Sequence, residues 1–242
     1  MRPIRLGWMY PDIMDLYGDR GNIQVFEKRC EWRGIPLEVV KCSINDVVDF
    51  STIDILFMGG GADREQGVMY QDLISRKEDI KKAMDDGMVC LLICGGYQLF
   101  GKYYEDADGK RLEGLGIFEY YTVADGRTRS IGNIAVECEC DGETIQVVGF
   151  ENHGGQTYEV SKPWGKVLFG HGNEKNGYEG YYDGKTLGTY MHGPLLPKNP
   201  KIADHFIKMA LARQGITEEL QEINDSLSDQ AREYMLQRLL KK

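Results

Sequence analysis

The chain places a cysteine at the end of an apolar run, in "LLICGGYQLF" from Leu91 to Phe100. Val89, Leu91, Leu92 and Ile93 read as a strand that enters a sharp turn at Cys94. Gly95 and Gly96 let the backbone turn tightly and let another atom come close. Tyr97, Gln98, Leu99 and Phe100 then start a helix. This is the geometry of a nucleophile elbow, in which a side chain is held up on a strained strand-to-helix turn. The plainer reading of the same stretch is a buried cysteine beside a tight turn.

A cysteine nucleophile needs a base, and usually donors for an oxyanion. The chain offers four histidines: His153, His171, His192 and His205. His205 falls inside a helical pattern and His171 inside the polar turn "FGHGNEKNGYEG". His192 ends the strand "LGTYM", at the carboxyl edge where an open α/β sheet gathers functional groups. His153, in "GFENHGGQTY", is the competing candidate. Gly59, Gly60 and Gly61 end another apolar run, "DILFMGGG", and their uncrowded N–H groups could approach a ligand oxygen. The N–H of Gly95, next after the cysteine, would be the second donor. No Gly-Lys-Ser/Thr follows the triple glycine, so it is not a Walker A loop.

The elements that must position these groups alternate in the first half. "IRLGWMY", "PLEVVKC", "DILFMGG" and "MVCLLIC" read as strands. "GNIQVFEKRCEWRG" and "YQDLISRKEDIKKAMDDG" read as helices between them, each stopped by a glycine. This rhythm predicts a mostly parallel sheet with helices on both faces. From about Gly114 to Tyr190 the pattern changes to short runs of strand propensity, "IFEYYTV", "IAVECEC", "TIQVVGF", "KVLFG" and "LGTYMHG", separated by turn residues. Two helices are expected at the end, "PKIADHFIKMALARQG" and "ITEELQEINDSLSDQAREYMLQRLLKK". No linker divides the chain, so residues 1–242 are expected to form one α/β domain with a β-rich second half.

Composition excludes some classes. A formal net charge of −9 argues against a general nucleic-acid binder or an anionic-membrane binder. No apolar run approaches the roughly 20 residues of a membrane span. The start turns polar within a dozen residues, so no signal peptide is expected and the location is read as cytoplasmic. The six cysteines are then expected to be reduced thiols. Cys138-x-Cys140 lacks a second ligand pair, so no metal site is expected.

Together, Gly59-Gly60-Gly61, Cys94-Gly95-Gly96-Tyr97-Gln98 and Tyr190-Met191-His192-Gly193 resemble a class I glutamine amidotransferase of the CobB/CobQ-like branch. "YGDRGNI", "GGGADREQ", "ICGGYQ", "LEGLGI", "GFENHGG" and "GTYMHGPLLPKN" narrow the resemblance to the glutaminase subunits of lipid II isoglutaminyl synthases. These motifs run over most of the chain in the family order. The resemblance implies a flavodoxin-like central sheet. It implies that Cys94 attacks the side-chain amide of L-glutamine and that His192 relays the proton. The imidazole and the helix start after Gly95 would favour the thiolate. It also implies that an arginine in "GRTRSIGN" grips the glutamine carboxylate; the position falls on Arg129, with Arg127 the nearby rival. Gly60 and Gly95 would bind substrate through their amides. No cofactor is implied. The implied partner is a MurT-type, Mur ligase-like subunit that binds ATP and lipid II and amidates its D-glutamate to D-isoglutamine.

The chain departs from the class at one point. Many class I amidotransferases carry a glutamate two residues after the histidine, whereas here Gly193 and Pro194 follow His192. The acid must come from elsewhere in the chain or from the partner, or a dyad suffices; the resemblance favours the partner. The alternatives to the lipid II reading are a glutaminase for another acceptor, such as a corrinoid carboxylate, and a non-catalytic scaffold subunit.

Overall fold

The computed structural model describes residues 2–61, 63–127, 129–174 and 176–241, without the side chains of residues 63–68. Ala62 of "GGGADREQ" and Thr128 of "GRTRSIGN" lie outside the described residues. In chain order the elements begin with β1 (Ile4–Met9), α1 (Arg20–Glu31), β2 (Leu37–Cys42), β3 (Ile55–Met58), α2 (Asp63–Ser75), α3 (Lys77–Asp85), β4 (Val89–Ile93) and α4 (Gly95–Phe100). There follow β5 (Tyr103–Glu105), β6 (Arg111–Glu113), β7 (Tyr121–Ala124), β8 (Ser130–Cys140), β9 (Glu143–His153), β10 (Gly155–Tyr158) and β11 (Gly165–Phe169). The chain ends with β12 (Tyr178–Glu179), β13 (Tyr181–Tyr182), β14 (Thr186–Thr189), β15 (Met191–His192), α5 (Leu195–Lys198), α6 (Pro200–Arg213) and α7 (Ser226–Leu240). Among the described residues no helix is long and apolar enough to cross a membrane.

The first sheet has the order β13-β14-β4-β3-β1-β2. It is parallel except for β13, which pairs antiparallel to β14. Every residue of β3 and β4 is buried, which is why their sequences are almost unbroken apolar runs. The β-rich half folds into two further sheets, β10-β7-β5-β6 and β12-β11-β8-β9-β15. The second of these is built on the long hairpin of β8 and β9, paired from Ser130↔His153 to Cys140↔Glu143. Apolar residues of the parallel sheet, of α1 and α6 and of β8 join one core, Phe57, Leu91, Phe26, Phe206 and Val136 among them.

Three sequence expectations change. The helix read from Tyr70 to Gly87 is two helices, broken at Arg76. The Arg76 side chain is buried and bonds to the carbonyls of Ser43 and Asp46 and to Asp72, a network that outweighs helix propensity. The last helix starts only at Ser226. Upstream, Arg29 holds Asp225 at 2.7 Å and Arg33 Nε donates to the Gln221 carbonyl, which ties that segment to α1 and its end. Finally, "LGTYMH" is not one strand. β14 ends at Thr189, Tyr190 crosses between sheets, and β15 pairs with β9.

The crossing is held by Glu179. Its buried carboxylate accepts the Tyr190 N–H at 2.7 Å and the Thr189 hydroxyl at 3.1 Å. Burial pushes the Glu179 carboxyl up to about 8 despite these bonds, and Glu151 adds to the rise. An unfolded glutamate titrates near about 4.3. Because the native value is the higher one, the stabilising contribution is complete below about 4.3 and is lost as pH rises from there through about 8. Glu179→Gln keeps an acceptor oxygen and removes the titration. Its unfolding free energy, measured by urea titration between about pH 5 and pH 8, is expected to fall less steeply with pH than that of the parent chain.

Candidate active site

β4 delivers Cys94 into a conformation that few non-glycine residues adopt, with φ 49° and ψ −100°. Such backbone costs roughly 1–3 kcal/mol and persists only where the surroundings over-determine it. Here they do. Cys94 N–H donates to the Thr189 carbonyl of β14 at 2.8 Å, and Gly96 N–H donates to the Gly59 carbonyl after β3 at 3.2 Å. A side chain on Gly96 would stand 2.6 Å from the Met58 carbonyl, so the turn packs onto β3 only because that residue is glycine. Cys94 opens α4, and the Gly95 N–H belongs to its first turn, where amides have no acceptor four residues back.

His192 reaches the thiol from the other sheet. A methyl group on Gly60 would lie 2.7 Å from His192 Cε1 and 3.3 Å from Cys94 Cβ, so the two side chains converge over that glycine. Among the described residues, Nε2 of His192 is buried with no hydrogen-bond partner. Nδ1 stands 3.2 Å from Asp19 Oδ1, and both side chains are fully buried. Burial opposes charging of the imidazole, but Cys94 and Asp19 together overcome it and push His192 up to about 10. The ring is therefore held as an imidazolium beside the Cys94 sulfur.

Asp19 is the residue that sequence reasoning missed. It sits in "YGDRGNI", 173 positions from His192, and nothing in its own neighbourhood marks it as a partner of that ring. Of the three sources that the sequence leaves open for the acid, the resemblance favours the partner, but this chain itself puts one on Nδ1. A second revision concerns Gly60. Its N–H, expected to face a ligand oxygen, donates to Asp19 Oδ2 at 2.8 Å. Gly60 shapes the site by its missing Cβ, and its amide belongs to the acid.

The other histidines are spoken for. His153 bonds the Gly155 carbonyl at 2.7 Å through Nδ1 and faces Glu151 through Nε2, and its ring stacks on Tyr190 at 3.7 Å. His171 Nδ1 is 2.9 Å from Glu151. His205 lies between Asp141 and the Tyr182 hydroxyl. Cys140, Asp141 and His205 do bring ligand atoms within 4.8 Å of one another, but Lys208 also holds that aspartate, so the cluster is already charge-paired. The Cys90 thiol is fully buried in β4, and that burial pushes it up.

A cavity of about 480 Å³ opens in front of Cys94. Gln98, Tyr17, Asn152, His153 and both Arg127 and Arg129 line it. Arg129 Nε donates to Asn152 Oδ1 at 2.6 Å, and among the described residues neither arginine forms an ion pair. A cavity with a thiol at its floor and guanidinium groups on its wall fits a small substrate that carries a carboxylate.

Comparison with known proteins agrees with this chemistry. Residues 5–200 match the CobB/CobQ-like glutamine amidotransferase domain. Over 228 residues the chain is 42% identical to the lipid II isoglutaminyl synthase (glutamine-hydrolyzing) subunit GatD of Staphylococcus aureus (strain N315), covering 94% of this chain and 92% of that protein. The subunit of the same name from Streptococcus pneumoniae (strain ATCC BAA-255 / R6) is 39% identical over 237 residues, covering 96% and 90%. Among solved structures, the glutaminase domain of Trypanosoma brucei CTPS with bound acivicin aligns with a TM-score of 0.54 at 11% identity, covering 90% of this chain and 96% of that one, a likeness of fold.

The Asp19–His192 contact has a direct readout. Asp19 raises the affinity of the ring for its proton through a hydrogen bond and through charge. In Asp19→Asn the His192 imidazole is expected to titrate at lower pH than in the parent chain. Side-chain NMR of histidine-labelled protein measures it; an unchanged titration would show that Asp19 does not hold the ring.

Proposed function

The chain belongs to the CobB/CobQ-like glutamine amidotransferase family, and from that premise we propose that it is the glutaminase subunit of a lipid II isoglutaminyl synthase. The observation that carries the mechanism is the convergence of Cys94 and His192 over Gly60, with Asp19 behind the ring. The Cys94 thiolate attacks the side-chain amide carbon of L-glutamine, and the carbonyl oxygen takes the negative charge. The Gly95 N–H faces that oxygen, and the Gly60 N–H joins it only by leaving Asp19. The His192 imidazolium gives its Nε2 proton to the departing nitrogen, which leaves as ammonia. A thioester to Cys94 remains. Neutral His192 then draws a proton from water, hydroxide adds to the thioester, and glutamate leaves with the thiolate restored. Asp19 keeps Nδ1 protonated and facing it throughout, which leaves Nε2 as the working nitrogen.

Arg129 holds the α-carboxylate of glutamine. With Nε on Asn152, its two terminal nitrogens remain for a two-pronged grip. Residues 1–242 act as one unit in the cytoplasm, and ammonia passes to a MurT-type, Mur ligase-like partner. That subunit binds ATP and lipid II, activates the D-glutamate carboxylate and amidates it to D-isoglutamine. The names of the two relatives, both nearly full-length matches, support this acceptor.

Two experiments test the reading. Cys94→Ala is expected to abolish ammonia release from glutamine, whereas Cys90→Ala keeps it. The complex of Cys94→Ala with the partner is expected to amidate lipid II from added ammonium but not from glutamine. Failure with both nitrogen sources in the unmutated complex would remove the lipid II acceptor; activity of Cys94→Ala with glutamine would remove the nucleophile. Second, Arg129→Ala loses a charge-assisted contact of about 1.5–3 kcal/mol, so KM for glutamine is expected to rise roughly 10- to 150-fold. Arg127→Ala is expected to change KM much less; the reverse order in steady-state kinetics moves the carboxylate site to Arg127.

A further inference from the structure

Tyr17 stands in a 3-10 turn, Leu16–Gly18, with φ 55° and ψ 26°. This left-handed conformation is uncommon for a bulky residue and easy for glycine, which follows at once as Gly18 with φ 78°. Backbone preference alone would put glycine or asparagine there. The Tyr17 side chain, meanwhile, has specific partners. Its ring meets the His192 ring edge-on, with centroids 5.0 Å apart and planes at 73°. Its hydroxyl accepts a hydrogen bond from Asn152 Nδ2 at 2.7 Å. The same amide, through Oδ1, accepts from Arg129 Nε at 2.6 Å. The turn is anchored at both ends to the catalytic floor: Leu16 N–H donates to the Gly60 carbonyl at 3.0 Å, and Asp19 bonds both Gly60 and His192. Yet Tyr17 is 41% exposed, so its burial is too small to explain the strain.

We propose that Tyr17 is a positioning residue for glutamine, a strap laid over His192 and tied through Asn152 to Arg129. The proposal rests on the glutaminase reading and adds a coupling to it. Asn152 can serve Arg129 from one side because Tyr17 fixes it from the other. The guanidinium is thereby held with its terminal nitrogens toward the cavity. The ring of Tyr17 keeps water off one face of the imidazole. One side chain thus links the group that grips the carboxylate to the group that moves the proton, and a glutamine held by Arg129 is aligned with Cys94. The strained turn is the cost of aiming a tyrosine from a position that favours glycine.

The experiment separates this from a structural role. Tyr17→Phe keeps the ring and removes the hydroxyl; KM for glutamine is expected to rise roughly 3- to 10-fold with kcat within about twofold. Tyr17→Gly relieves the backbone and removes the ring; KM is expected to rise and kcat to fall, with a melting temperature no lower than that of the parent. In an Arg129→Ala background, Tyr17→Phe is expected to add little further to KM, because the two act through one amide. An unchanged KM in Tyr17→Phe, a full-size effect of it in the Arg129→Ala background, or a lowered melting temperature with unchanged kinetics in Tyr17→Gly overturns the proposal. Cys94→Ala and Arg129→Ala, assayed alongside, keep the two levels apart. If they behave as expected and Tyr17→Phe is silent, only the strap fails; if Cys94→Ala is active, the glutaminase site itself fails.

Discussion

The Asp19 carboxylate is fully buried, and it accepts hydrogen bonds from the Gly60 amide and the His192 ring. A buried carboxylate without partners would be costly enough to unfold a marginal protein or to take up a proton. The chain therefore has to keep Gly60, after β3, and His192, on β15, in place around it. Asp19 itself precedes α1, which packs on α5 and α6 just beyond His192. One charge thus pins the helix side, the carboxyl edge of the parallel sheet and the second β layer to a common point. The elbow at Cys94 sits beside that point because Gly60, whose amide Asp19 holds, is the residue over which Cys94 and His192 meet.

Strain and packing are balanced in the same small volume. Cys94 and Tyr17 both carry positive φ, and both line the same cavity. Neither conformation would last on an isolated turn. Cys94 is fixed by its N–H to Thr189 and by the close approach of Gly96 to Met58. Tyr17 is fixed by the bonds flanking it at Leu16 and Asp19 and by its hydroxyl on Asn152. In each case the bonds that hold the turn come from segments distant in the chain.

That dependence on distant strands decides what the sequence makes legible. The parallel sheet is readable because β3 and β4 are apolar throughout and the glycines that close α1 and α3 are local signals. Cys94 is readable because strand, turn and helix are contiguous. His192 is readable as a candidate, but what sets it apart from His153 is long-range: Glu151 and Gly155, each two residues away, engage the His153 ring, whereas Asp19 and Cys94, far along the chain, engage that of His192. The helix breaks at Arg76 and before Ser226 escape periodicity for the same reason. Each is imposed by an arginine whose acceptors lie elsewhere in the chain. Asp19 is the extreme case, since a lone aspartate before a helix reads as a cap until the ring 173 positions later is placed beside it.

The crossing at Tyr190 explains how the two halves of the site stay in register. Cys94 belongs to the parallel sheet, whereas Arg129, Asn152 and His153 belong to the β8–β9 hairpin or its flank. A small shift between the sheets would separate the Cys94 thiol from the Arg129 guanidinium. Tyr190 lies where they meet. Its N–H is held by Glu179, its hydroxyl bonds Thr157 at 2.6 Å and Gln98 at 3.3 Å, and its ring carries the stacked His153. Gln98 is on the helix that Cys94 starts, and Thr157 is on β10. The tyrosine therefore bonds to both sides of the cavity at once, and the residue that sequence reading took as the middle of a strand is the joint that sets the distance between the thiol and the guanidinium.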